Sequence, residues 1–192
     1  MASRKQADAL QPLSGIYAEM GLELPVMGFV TPEGVPEPYR TLLVHKRDMT
    51  PTLEAACGGR LHLRVLRCAV TEGVMSRLVV LEMDGAGNPV EVGAIRIHLD
   101  RLPEEARRPV LELHDPFGAI LRDHGIEHTS RPTAYFEIVP DSLIAEALGT
   151  NGGNKLYGRH NTIRDGGGKV LAEVVEILPP APRAVNLNEG KL

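Results

Sequence analysis

A guanidinium set in an apolar strand is the first group in this chain with evident chemical potential. In the run from Val74 to Leu81, alternation places Arg77 on the same face as Met75, Val79 and Leu81. Such an arginine is either held by a structural ion pair or lies in an apolar pocket as a clamp for an anion, where a carboxylate offers bidentate geometry. The last apolar segment adds two carboxylates. Leu171, Glu173, Val175 and Ile177 point one way, while Ala172, Val174, Glu176 and Leu178 point the other. Whichever face is core carries a glutamate that needs a partner or a raised pKa and could act as acid or base; the other is solvated. Between these strands lies Leu156-Tyr157-Gly158-Arg159-His160. Here Gly158 predicts close approach of another group to the backbone, Arg159 is a pocket residue or a surface cation, and His160 reads as a strand-surface residue.

Other chemistries find no support. The stretch from Gly149 to Lys155 has the composition of a phosphate loop, but it matches neither GxxxxGK(S/T) nor GxGxxG and runs from a helix into a strand, so it reads as a turn. There is no Gly-x-Ser-x-Gly elbow. The seven histidines are scattered without metal-ligand spacing, so no metal site is expected. Cys57 and Cys68 lack CxxC spacing and read as reduced, structural thiols.

The elements that position these groups follow from periodicity and punctuation. Residues 1–35 read as an irregular N-terminal segment with a short helix near Ser14 to Met20. Pro38 opens a helix, and Thr50 caps a second one with Pro51 at its first position and Gly58-Gly59 as its stop. From Arg60 the period becomes two. Three strands form a meander, with turns at Thr71-Glu72-Gly73 and from Asp84 to Pro89. Short helices are expected at Pro103 to Arg108 and after Asp115-Pro116, then a strand from Ala134 to Val139 and a helix capped by Asp141. A closing hairpin spans Lys155 to Leu178, and residues 181–192 read as a polar tail. Strands joined by hairpins and interrupted by short helices predict an α+β domain over residues 36–180, built on an antiparallel sheet.

Composition narrows the partners. The chain has 192 residues with 21 basic against 25 acidic side chains, net charge −4, three Phe, four Tyr and no Trp. That leaves few rings for stacking bases and no basic surface for phosphate backbones, so nucleic acid is not an expected partner. No apolar run reaches the roughly 20 residues of a membrane span, and the N-terminus lacks the apolar core of a signal peptide, which predicts a cytoplasmic protein.

Taken in order, Arg47-Asp48-Met49-Thr50, Arg77 with the Asp84-Gly85 hairpin, Pro116-Phe117-Gly118, Leu156-Tyr157-Gly158-Arg159 and Ile177-Leu178-Pro179 resemble the motifs of bacterial chorismate pyruvate-lyases, across residues 38–179. The resemblance implies an antiparallel sheet with helical flap loops over a buried ligand pocket. It also implies release of pyruvate from chorismate to give 4-hydroxybenzoate without metal or organic cofactor. By position, Arg77 looks like the arginine that holds a carboxylate, Met49 and Phe117 match flap positions, and Tyr157 and Arg159 fall in the substrate-binding motif. An ungapped match places Val175 at the family's catalytic glutamate, Ala94 at its second arginine and His160 at the second arginine of its Gly-Arg-Arg run. Glu173 and Arg96 each lie two residues away, on the same strand face but displaced by about 6.6–6.8 Å.

Three functions follow as expectations. The first is a cofactor-free lyase acting on chorismate or a related cyclohexadienyl or aromatic carboxylate, with Glu173 and Arg77 catalytic and Arg96 as a further anchor. The second is a non-catalytic domain that binds or senses an aromatic carboxylate, as related domains of some bacterial transcription regulators do. The third, an interaction module exposing a sheet edge, has only generic strands behind it. The sequence sets no oligomeric state, and a monomer is compatible with it.

Overall fold

The computed structural model describes residues 10–151 and 153–180; the expected polar tail lies outside the described residues. The chain opens with α1 (Leu13–Glu19) and β1 (Met27–Val30), then a 3-10 turn at Pro32–Gly34, α2 (Tyr39–Leu43) and α3 (Met49–Cys57). A meander follows: β2 (Leu61–Thr71), β3 (Val74–Met83) and β4 (Pro89–His98). After a 3-10 turn at Leu99–Arg101 come α4 (Glu104–Glu112) and α5 (Phe117–Asp123). The second meander is β5 (His128–Ile138), β6 (Leu156–Asp165) and β7 (Val170–Leu178), with α6 (Ser142–Ala147) between its first two strands.

All pairings are antiparallel, in the order β1-β5-β6-β7-β4-β3-β2, so the two meanders join through β4 and β7. This is the α+β architecture the strand pattern predicts, and it is consistent with the chorismate-lyase-like fold. Apolar side chains on both faces of the central strands require cover on both sides. On one face α1 and α6 bury Leu13, Ile16, Tyr17 and Ile144 against Leu78, Val80, Val92, Ala94, Phe136 and Val175. The other face has two separate clusters. Near one end of the strands α4 and α5 pack on Met75, Ile95, Ile97, Ile163, Ala172 and Val174. Near the other end α2 and α3 pack on Leu81, Val90 and Leu178. A fully buried Leu, Ile or Phe contributes about 1.5–3 kcal/mol, so the two clusters anchor their helices independently.

Several boundaries differ from the periodicity. Residues 10–35 supply core side chains from α1 and an edge strand that pairs Met27 with Ile138 and Val30 with Tyr135. Four residues are too few to show alternation, so β1 leaves no pattern. Strand β5 begins at His128, six residues before the expected start, and runs through Pro132 at a register shift. A proline without an N–H is tolerated there because β1 covers only residues 135–138, leaving that side of Pro132 without a strand. At α3 it is Asp48, with extended backbone, that precedes the helix, while Thr50 and Pro51 lie in its first turn. Pro51 costs nothing there, since the first N–H groups of a helix have no internal acceptor.

The expected close approach at Gly158 is a contact with two neighbours. A Cβ at this position would lie 2.4 Å from the Glu176 carbonyl oxygen and 2.5 Å from Cζ of the fully buried Phe136. One neighbour is backbone, so relief would require β6 and β7 to separate. Gly158→Ala is therefore expected to destabilise the domain by about 2–3 kcal/mol, as overpacked cores do. A thermal melt checks this, and an unchanged melting temperature would contradict the packing described.

Candidate functional site

Between the two clusters on the helical face, a belt of polar residues crosses the sheet. Reading across from β3 to β6 it holds Arg77, then Glu91 and Gly93, then Glu176, then Asn161. Alternation puts all of them on one face, because Val79 pairs with Gly93, Gly93 with Glu176 and Asn161 with Val174. Above the belt the starts of α3 and α5 form a roof: Asp48, Met49 and Thr50 from one, Pro116, Phe117 and Gly118 from the other. Roof and belt enclose a narrow cavity of about 50 Å³ that opens towards solvent, with Leu63, Val79, Leu81, Ile95, Ile163 and Val174 as apolar walls. Two glycines make the fit possible. A Cβ on Gly118 would sit 3.0 Å from Thr50 Oγ1, where the two roof turns meet, and one on Gly93 would sit 3.0 Å from Glu91 Oε1 on the floor.

Arg77 is 1% exposed, and its Nε and Nη1 have no hydrogen-bond partner among the described residues. Burial pulls the guanidinium down from its usual range to about 10, which leaves it charged at neutral pH. Further along the same face stand two buried carboxyl groups. Glu176 contacts Arg159 Nε, and that arginine also donates to backbone oxygens: Nη1 to Leu43 and His45, both at 3.1 Å, and Nη2 to Arg47 at 3.2 Å. Among the described residues Glu91 has no cation in contact, and its Oε2 is buried without a partner. Burial pushes both carboxyls above the ordinary carboxylate range, and Glu176 raises Glu91 further. Arg159 opposes the rise most directly at Glu176, which it contacts, so Glu91 is the member of the pair whose neutral form is the more favoured.

The remaining polar groups are half satisfied. Asn161 Nδ2 donates to Ser130 Oγ at 2.8 Å, leaving Oδ1 without a partner, and Asp48 Oδ1 is likewise buried and unpartnered. The other carboxylate oxygen of Asp48 lies 2.7 Å from His128 Nε2, while His128 Nδ1 lies 2.7 Å from the Ile126 carbonyl oxygen. A ring that donates from both nitrogens is an imidazolium. The Asp48 hydrogen bond accordingly raises the His128 pKa against the opposing effect of burial. This pair ties the α3 start to β5. Among the described residues no three His, Cys, Asp or Glu side chains form a metal-binding group.

The sequence-predicted site residues divide into three sets. Arg77, Met49 and Phe117 line the cavity. Arg159 lies behind Glu176 and holds the loop between α2 and α3, while Tyr157 packs on Tyr39 with ring centroids 5.0 Å apart; neither belongs to the cavity lining. Arg96 and Glu173 are on the opposite face, paired with each other and partly exposed, far from any contact with Arg77. Ala94, Val175 and His160 share that opposite face, where Val175 and Ala94 are core and burial lowers the His160 pKa. The positions reached by the ungapped match thus all lie on the face away from the cavity, and in a strand a shift of one residue reverses every side chain. The acid on the cavity face is Glu176, and Glu91 was not anticipated at all. Its signal was present: a lone carboxylate alternating with Gly93, Ile95 and Ile97 in the strand that pairs with Arg77.

No family model matches the chain, and no curated protein matches it. Solved structures do. The chain is similar to PhnF from Mycobacterium smegmatis, with a TM-score of 0.55 and 16% identity over 71% of this chain and 65% of that one, just under two thirds of PhnF. It is also similar to the effector domain of PhnF, with a TM-score of 0.52 and 15% identity over 69% of this chain and 88% of that one. The ligand-binding domain of a putative GntR-family transcriptional regulator from Bordetella bronchiseptica matches at a TM-score of 0.45 and 15% identity, over 64% and 84% of the two chains. At such identities the likeness is one of fold. The expectation of a lyase is corrected: one of the structures matched is an effector domain, and Glu173, the expected acid or base, stands on the face of the sheet away from the cavity. Among the described residues no helix is long and apolar enough to cross a membrane.

The Asp48–His128 tie makes the roof accessible to titration. A pKa raised by folding stabilises the folded state fully below the unfolded histidine value of about 6.5, and that contribution is lost as pH rises through the folded value. The His128 ring resonances are expected to titrate above that reference, and Asp48→Asn is expected to bring the midpoint down. An NMR titration showing His128 at or below the reference would remove the tie.

Proposed function

We propose that this domain binds a small organic anion, an aromatic carboxylate in the first instance, and holds it without turnover as a sensing domain. The observation that carries this reading is the buried Arg77 guanidinium with two unpartnered nitrogens on the wall of a covered, largely apolar cavity. A carboxylate laid against it gains charge-assisted, bidentate hydrogen bonds in a medium where they are strong. The first turn of α3 supports the same reading, since Met49 and Thr50 bring the positive end of a nine-residue helix to the cavity roof. Apolar walls and the Phe117 ring suit the body of a ring acid. The similarity in fold to the PhnF effector domain supports binding over catalysis.

The test uses benzoate and 4-hydroxybenzoate as probes in thermal-shift and calorimetric titrations. The native chain is expected to melt higher with either acid, and Arg77→Met is expected to bind neither. The same substitution removes an uncompensated buried charge and is expected to raise the melting temperature of the unliganded domain by about 2–4 °C, corresponding to about 1 kcal/mol at this chain length. Chorismate is expected to yield no pyruvate. Anion binding that survives Arg77→Met, or measurable pyruvate release, would overturn the reading.

A further inference from the structure

The cavity carries a second group with no counterpart. Glu91 is 4% exposed, lines the same cavity as Arg77 and leaves Oε2 without a hydrogen bond. The two opposite groups do not pair with each other among the described residues. Arg77 is opposite Ile95 and Glu91 lies four residues further along β4, so their backbones are about 13–14 Å apart along the strands. Arg159 makes no hydrogen bond to Glu91 among the described residues; its bonds go to Glu176 and to three backbone oxygens. Asp48, the other acid at the cavity, has His128 as its cation. An unpaired guanidinium and an unpaired carboxyl, held apart across one cavity, form the negative image of a molecule with an anion at one end and a cation at the other.

We propose that the domain's ligand is a small organic zwitterion, whose anionic group lies on Arg77 and whose ammonium group lies on the Glu91 carboxylate. This rests on the anion-binding reading above and specifies the other end of that ligand. In the unliganded domain Glu91 is the member of the Glu91–Glu176 pair whose neutral form burial favours more. An arriving ammonium supplies the cation that Glu91 lacks, so the Glu91 O–H proton passes to solvent and an ion pair takes its place. Four charges then alternate in sign at that end: Arg159, Glu176, the ammonium and Glu91. The groups that face Glu91 are Glu176 on β7, which resists the ionisation, and Arg159 on β6, which favours it. Affinity for a zwitterion consequently rises with pH across the range where free Glu91 is protonated.

A matched set of probes tests this: 4-(aminomethyl)benzoate, 4-(hydroxymethyl)benzoate and benzylamine, titrated calorimetrically in two buffers of different ionisation enthalpy. The native chain is expected to bind the aminomethyl acid at least about tenfold more tightly than the hydroxymethyl acid, a difference of about 1.4 kcal/mol. It should release up to one proton per ligand, and benzylamine alone should bind weakest. Glu91→Gln, which keeps shape and removes an acid, is expected to fold, to lose the preference for the ammonium and to release no proton. Equal binding of the two acids by the native chain, or a preference unchanged by Glu91→Gln, would overturn the zwitterion while leaving the anion site intact. Failure of both acids to bind would overturn the anion site as well.

Discussion

Among the described residues the buried Nε and Nη1 of Arg77 have no hydrogen-bond partner, and the architecture on its side of the sheet is organised around that fact. A charge without a counterion, buried in a protein interior, costs several kcal/mol unless something repays it. The fold confines that cost to one belt. Apolar residues resume on either side of it, Met75 and Ile95 towards α4 and α5, Leu81 and Leu178 towards α2 and α3. Because the two clusters do not merge, the helices they anchor can meet above the belt with a cavity beneath them. Had Arg77 been paired with a neighbouring carboxylate, the same packing would enclose an ion pair and leave no receptor.

Arg159 is the complement of Arg77. Equally buried, it is well bonded: Glu176 takes Nε, and the carbonyl oxygens of Leu43 at the end of α2 and of His45 and Arg47 in the loop that follows take three more N–H groups. That loop leads directly into Asp48 and the roof turn, so a side chain from the sheet sets the height of the roof. One end of the belt therefore spends its arginine on structure, and the other leaves it free. The difference is one of position along the strands. Arg159 lies beneath a loop whose carbonyls need donors, while Arg77 lies beneath helix starts that present N–H groups of their own.

Much of this was legible from alternation alone. Arg77 could be assigned to an apolar face because period-two patterning survives in β3, and the flap residues Met49 and Phe117 followed from helix-start signals beside them. The two glutamates of β7 were separable only as an alternative, since both faces of that strand are buried and apolar periodicity cannot then say which is the cavity side. Motif matching pointed to Glu173, which lies on the face away from the cavity, whereas Glu176 is on the cavity side. Glu91 escaped notice for a related reason. A single acid in a strand ordinarily faces water, and only the three-dimensional cover provided by α3 and α5 makes it a buried group. Tyr157 and Arg159 show the limit in the other direction: their motif places them beside the site, yet their side chains serve packing and loop anchoring.

The polar belt also bears on why the domain would retain such a costly feature. Replacing Arg77 and Glu91 with apolar residues of similar volume would stabilise the unliganded fold and would merge the two clusters into one core. Keeping them lowers the stability of the unliganded domain and makes that stability answerable to a ligand. A molecule present at a hundred times its dissociation constant returns about 2.7 kcal/mol, comparable with the cost of one unsatisfied buried polar group. The two roof helices lie over the belt, held by the Asp48–His128 tie and by the Arg122–Glu54 ion pair between α5 and α3. A ligand that satisfies Arg77 from below therefore acts on the same residues, Met49 and Phe117, that close above it. On the proposed sensing function, recognition of the ligand and tightening of the roof are one event.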